Sequence, residues 1–250
     1  MESWCALRNI LVTGGSRGIG LAIVKRLSAA GYTVVAVARS ESDPLKLAMA
    51  DAKEKGEGAI HFRALDMKDI PAFPDFLRNV RKEIGPIYGL VNNAGIGTEG
   101  VLATMYESQI SELLRVNVEA PIVLTKYLVR HMMADGAGRI INMGSIIGST
   151  GYQALSVYGA TKAALEGFTR SLAREVGKLG ITVNVIAPGF IATELTASMD
   201  QDAKAKIASR SALKRLPETD DIARMVEFLM GEGGRNITGT VMTVDAGNTA

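Results

Sequence analysis

Short runs in which nearly every residue is apolar alternate along this chain with longer stretches whose apolar residues return every three or four positions. The first kind reads as strands covered on both faces, the second as amphipathic helices. Residues 9–13 (NILVT), 33–38 (TVVAVA), 59–65, 87–91, 139–143, 182–186 and 241–244 predict strands. Helices are predicted over 21–30, 43–56, 74–84, 108–134, 157–179 and 220–230, the last with Asp220 as its N-terminal cap. Strand and helix alternate without a repeat, linker or low-complexity tract, which predicts a single α/β domain over 1–250. Its expected form is a doubly wound parallel sheet of about seven strands with helices on both faces. Residues 190–216 mix Met, Leu, Ala and charge without a clear strand and are expected to form a lid over a pocket.

Two helical stretches carry finer expectations. Pro121 has no N–H for the carbonyl four residues back, which belongs to Asn117, so a local break is expected whose freed carbonyl holds a water. In 157–179, Leu165, Phe168, Leu172 and Val176 are expected to pack inward. Ala160, Ala164, Gly167 and Ser171 form a stripe of small residues that admits another backbone, either a second subunit's or that of the chain's own sheet.

Composition narrows the class. The 250 residues, 47% hydrophobic and 22% charged, are enough for one large core. With 28 basic and 26 acidic residues the net charge is +2, which argues against nucleic acid as the main partner. Cys5 is the only cysteine, so no internal disulfide forms, and no Cys/His cluster suggests a metal site. Residues 1–8 lack a signal-peptide core, and no apolar run approaches the about 18 residues of a membrane span. A cytoplasmic protein is expected, and an organellar matrix is compatible.

The candidate chemistry starts where the first strand ends. Gly14, Gly15, Ser16, Arg17, Gly18, Ile19 and Gly20 follow it and open a helix, the context a Rossmann-type dinucleotide fingerprint requires. Glycines there permit a tight turn and close approach of a pyrophosphate to the helix N-terminus. After the second strand, where an acidic residue would hold an NAD ribose, the chain offers Arg39 and Ser40, with Arg17 as a second cation. Two guanidiniums suit a 2′-phosphate and favour NADP(H), although either arginine is also compatible with a solvated surface role. Asp66, at the end of the third strand, suits either an adenine amino group or a simple turn. Tyr158 and Lys162 lie four apart, on one helix face, and an ammonium beside a phenol stabilises its ionised form. In isolation that pair reads more readily as a half-buried Tyr and a solvated Lys.

Together these residues resemble the short-chain dehydrogenase/reductase superfamily over nearly the whole chain. The matches are 13–20 (TGGSRGIG), 92–95 (NNAG), Asn117, Ser145 thirteen residues before Tyr158, Lys162, and Pro188-Gly189 with Thr193. The resemblance implies a catalytic tetrad of Asn117, Ser145, Tyr158 and Lys162. It implies cofactor contacts from Gly14, Ser16, Arg17, Gly18, Ile19 and Gly20, and from Arg39, Ser40, Asp66 and Met67. Asn93, Ala94 and Gly95 would continue that surface, Tyr158 and Lys162 would share it, and Pro188, Gly189, Ile191 and Thr193 would complete it.

Among subfamilies the chain is most similar to 3-oxoacyl-[acyl-carrier-protein] reductases, through 171–176 (SLAREV), 180–189 (GITVNVIAPG), 190–196 (FIATELT), 215–217 (RLP) and 237–239 (ITG). That likeness implies NADPH-dependent formation of a 3-hydroxyacyl product, a homotetramer, and carrier-protein contact through Arg130 and Arg174. Each of those arginines is equally compatible with a solvated charge. Residues 97–104 (GTEGVLAT) and 244–250 (VDAGNTA) depart from that pattern. They leave open a member of the same fold acting on a free small ketone, sugar, steroid or other secondary alcohol.

Overall fold

The interior strands have no face to give to water, and that fixes the layering. In the structure, a computed structural model that describes residues 8–191 and 201–250, β1 (Asn9–Thr13), β4 (Ile87–Asn92), β5 (Gly138–Met143) and β6 (Ile181–Pro188) are buried almost throughout. Together with β2 (Thr33–Ala38), β3 (Ile60–Ala64) and β7 (Val241–Val244) they make one parallel sheet, ordered β3-β2-β1-β4-β5-β6-β7. The edge strands β3 and β7 are the partly open ones. Chain direction across the sheet reverses between β1 and β4, which opens a crevice at the carboxyl ends of these strands.

Alternate side chains of each strand enter opposite cores. Ile10, Val12, Val34 and Ala36 pack with α1 (Gly18–Ala29), α2 (Asp43–Lys55) and α8 (Thr219–Met230). Leu11, Val35 and Val37 pack with α3 (Phe73–Ile84), α5 (Ala120–Asp135) and α6 (Ser156–Val176). One polar ladder crosses this apolar interior. The Asn92 amide donates to Thr125 of α5 at 3.0 Å and to the Asn142 side chain at 2.8 Å, and Asn142 donates to Thr169 of α6 at 2.8 Å.

The structure corrects or refines several expectations. Helix α8 is capped by Glu218 rather than Asp220: the Glu218 N–H donates to the Asp221 carboxylate at 2.8 Å, while Asp220 pairs with Arg224 at 2.7 Å. The 108–134 stretch continues past Pro121 and is interrupted just before it. It divides into α4 (Glu107–Leu114), a π turn over Arg115–Glu119, and α5, with the Ala120 N–H reaching back five residues to Arg115. Within 190–216, residues 192–200 fall outside the described residues, and α7 (Gln201–Arg210) is a helix. Leu165, Leu172 and Val176 are buried and Phe168 is half-buried. Ala160, Ala164, Gly167 and Ser171 are exposed, so their stripe does not pack on the chain's own sheet.

Candidate active site

The glycine turn after β1 is a cradle only glycine can line. Gly14 and Gly18 have φ of 67° and 54°, in the left-handed region. A methyl group on Gly14 would lie 2.8 Å from the Asn93 amide nitrogen, and one on Gly20 would overlap the Gly14 carbonyl oxygen. The first turn of α1 holds no acidic side chain, so its N–H groups face the crevice without a competing carboxylate. Ser42, the N-cap of α2, accepts from the Leu45 N–H at 3.2 Å and donates to the Ser16 carbonyl, tying the turn to the next helix. Arg17 and Arg39 are both exposed, and Arg39 makes no ion pair among the described residues.

A second hydroxyl joins this turn to the end of β4. Thr13 Oγ1 accepts from the N–H groups of Asn93 and Ala94, both at 3.0 Å. The Asn93 side-chain amide donates in return to the Thr13 carbonyl at 2.9 Å. Gly95 follows, and a methyl group there would sit 3.3 Å from Asn117 Oδ1 and 3.7 Å from Lys162 Nζ. The cofactor turn and the candidate catalytic wall therefore meet at 93–95.

Asn117 sits in the π turn, buried, where a single-residue widening re-aims its side chain. Its amide brackets one residue: Oδ1 accepts from the Ile96 N–H and Nδ2 donates to the Ile96 carbonyl, each at 2.9 Å. Nδ2 also lies 3.3 Å from Thr161 Oγ1, whose hydroxyl donates to the Tyr158 carbonyl at 2.7 Å. Lys162 is 6% exposed; its ammonium lies 5.6 Å from the centroid of the Tyr158 ring and donates to the Met143 carbonyl at 2.8 Å. Two residues after Met143, Ser145 Oγ accepts from the Ile147 N–H at 3.2 Å. The turn it begins packs on the first turns of α6, where a methyl group on Gly148 would meet the Ala163 nitrogen at 3.2 Å.

The remaining predicted contacts are distributed along the strand ends. Ser40 is exposed, and Ser16 and Ile19 are half-buried in the glycine turn. Asp66 takes the turn role, accepting from the Lys68 N–H at 2.9 Å, while Met67 is buried. Pro188 ends β6, Gly189 donates its N–H to the Val244 carbonyl at 2.9 Å, and Ile191 is buried. Thr193 lies outside the described residues. Arg130 and Arg174 are exposed on α5 and α6.

Sequence reasoning passed over Thr13, Ser42, Thr161 and the Met143 carbonyl as site-building groups. Ser42 before Asp43-Pro44 carried an N-cap signal, and Thr161 stands one residue before Lys162. Thr13 stands at the head of the matched TGGSRGIG motif, whereas Met143 carried no signal, because its partner Lys162 comes from α6.

The comparisons decide the family. Residues 8–204 match the model of the short chain dehydrogenases. The chain belongs to that family. It is an oxidoreductase acting on a CH–OH/C=O pair. Over 237 residues it is 40% identical to the 3-oxoacyl-[acyl-carrier-protein] reductase FabG of Haemophilus influenzae, covering 95% of this chain and 96% of that one. Among solved structures it resembles a short chain dehydrogenase of Burkholderia cenocepacia in complex with NADP, with TM-score 0.89 and 36% identity over 99% and 100% of the two chains. It also resembles a blue fluorescent protein from a metagenomic library in complex with NADPH, with TM-score 0.90, 35% identity and the same coverage. No helix among the described residues is long and apolar enough to cross a membrane.

Proposed function

We propose that this short-chain dehydrogenase uses NADPH to reduce the keto group of 3-oxoacyl chains borne on an acyl carrier protein, leaving a 3-hydroxyacyl product. The observation that carries the reduction is the single wall on which Asn117, Thr161, Lys162 and Tyr158 are joined and against which the Ser145 turn packs. The chain's residues fit NADP(H): the glycine cradle admits a pyrophosphate, and Arg39 with Arg17 suits a 2′-phosphate. When bound, that cofactor supplies the hydride for the carbonyl carbon.

The chain's own residues handle the oxygen and its proton. Ser145 Oγ already accepts from Ile147, so its O–H is left to donate to the substrate oxygen as charge gathers there. Tyr158 gives that oxygen its proton, and takes it back in the oxidising direction. Lys162 stabilises the phenolate left behind and would hold the ribose hydroxyls, exchanging its present contact with Met143. The Asn117 carbonyl, denied the N–H that Pro121 lacks, accepts from the water that resupplies Lys162.

Substrate identity rests on the 40% identity to the Haemophilus enzyme and on two exposed cations, Arg130 and Arg174, suited to an acidic carrier. The exposed stripe on α6 supports a homotetramer built partly through that helix. Exposed Val101 and Leu102, in the departing 97–104 segment, favour the second reading, a free ketone. NADPH consumption with acetoacetyl-CoA, 3-oxoacyl carrier protein and a panel of free ketones separates them. Fastest turnover is expected with the carrier-linked substrate, lost in Arg130→Glu with Arg174→Glu; turnover of free ketones alone rejects the assignment. Removing a guanidinium from a phosphate contact costs about 1.5–3 kcal/mol, so Arg39→Asp should cut the preference for NADPH over NADH by roughly tenfold or more. An unmodified chain that already prefers NADH defeats the cofactor reading.

A further inference from the structure

Asp245 follows β7 directly, 7% exposed and with no ion pair among the described residues. Its carboxylate is filled from its own chain instead. Oδ1 accepts from the Gly247 N–H at 2.8 Å, and Oδ2 accepts from the Thr249 N–H at 2.9 Å and the Thr249 hydroxyl at 2.7 Å. Burial pushes the carboxyl up, but the Thr249 hydroxyl and the amides of Gly247, Thr249 and Asn248 outweigh it and hold it below the ordinary carboxylate range. The turn so formed keeps Ala246 at φ 56°, which a residue with a side chain adopts only where its surroundings impose it.

This turn grips two segments that are distant in sequence. On one side a methyl group on Gly189 would lie 2.6 Å from Asp245 Cβ and 2.7 Å from its Cα, so the backbones of 189 and 245 are in direct contact. On the other, the Ala212 and Leu213 N–H groups donate to the Gly247 and Ala246 carbonyls, both at 3.1 Å, and Asn248 donates to Ser211 at 3.3 Å. Strand order then gives the turn a role. Arg39 follows β2, on one side of the β1–β4 crevice, whereas Ser145 and Gly189 follow β5 and β6 on the other. A dinucleotide lying across that crevice has its 2′-phosphate half over β1 and β2 and its reacting half over β5 and β6.

We propose that Asp245 is a positioning residue for the reacting half of the cofactor: its carboxylate folds residues 245–249 into a clasp that holds Gly189 at the end of β6 and ties it to 211–213. The inference rests on the NADP(H) reading above. It differs from a merely structural role in being one-sided: loosening the clasp weakens contact with the reacting half and leaves the adenosine half alone.

Binding of NADPH and of adenosine 2′,5′-bisphosphate, measured by titration calorimetry on the purified chain, tests this. Asp245→Asn keeps one acceptor oxygen but turns the other into a donor that faces the Thr249 donors, and the NADPH Kd should rise about tenfold or more. Thr249→Val, at an exposed position that folding tolerates, removes only the hydroxyl donor and should raise it severalfold, with Thr249→Ser restoring it. The bisphosphate Kd should stay unchanged in all three. NADPH affinity unaltered in Asp245→Asn and Thr249→Val overturns the inference, as does an equal loss for both ligands. An unmodified chain that binds no NADPH overturns the cofactor reading and the inference together.

Discussion

Tyr158→Phe leaves NADPH binding within a fewfold of the unmodified chain and lowers kcat for carbonyl reduction by about 10²–10⁴-fold, the range typical of a lost general acid. The two effects separate because the substitution deletes one oxygen and keeps the ring. Lys162 lies 5.6 Å from that ring's centroid, and its bond to Met143 does not involve the phenol, so losing the phenol leaves the ammonium placed to turn to the ribose hydroxyls. Thr161 bonds the Tyr158 backbone carbonyl rather than its side chain, so the link to Asn117 also survives. Single-turnover mixing of the NADPH-loaded variant with ketone reads the chemical step directly. A variant that turns over as fast as the parent would mean the proton comes from elsewhere, and the catalytic wall would have to be reassigned.

Gly20→Ala is expected to be the most damaging single methyl in the cofactor turn. Gly20 is buried in the first turn of α1, and its added carbon would overlap the Gly14 carbonyl oxygen while lying 2.6 Å from the Asn93 amide. Neither neighbour can yield cheaply: one is backbone in a left-handed turn, and the other is held by the Thr13 carbonyl at 2.9 Å. Overpacking of this kind costs about 1–3 kcal/mol, which denaturant titration would read as a lower midpoint. The displaced cradle should also weaken NADPH by tenfold or more. A variant with unchanged midpoint and unchanged affinity would show that the turn is not the cofactor's seat.

What could be read from the chain beforehand followed from periodicity. The β1, β4, β5 and β6 runs are mostly apolar because both their faces are covered, and Tyr158 and Lys162 stand out because four residues make about one turn. Each missed group has at least one partner that arrives through tertiary packing. Thr13 accepts from amides eighty and eighty-one residues away, and the Met143 carbonyl is claimed from α6. Pro121 announced a missing N–H, and the helix is locally interrupted just before it by a π turn whose Asn117 side chain bonds Ile96. The cap of α8 cannot be placed from sequence because Glu218, Asp220 and Asp221 crowd one turn, and only the fold decides which carboxylate meets which amide. Helix α7, with its run QDAKAKIASR, has too few large apolar residues to declare itself.

The amide ladder through the sheet centre bears on how the strands find their alignment. β4 carries only Ile87, Leu90 and Val91, and β5 only Ile140 and Ile141, as branched aliphatic residues, with adjacent ones pointing to opposite faces, so apolar packing marks their alignment weakly. Hydrophobicity alone therefore tolerates several alignments. Asn92 opposite Asn142 does not, because a slip breaks the bond between the two amides in an apolar layer and leaves a buried acceptor unmet, at a cost of about 1–3 kcal/mol. The pair acts as a key that admits a single register. Since Asn93 to Gly95 leave β4 one residue after this pair and Ser145 leaves β5 three residues after it, the same key sets how far the two halves of the active site stand from one another.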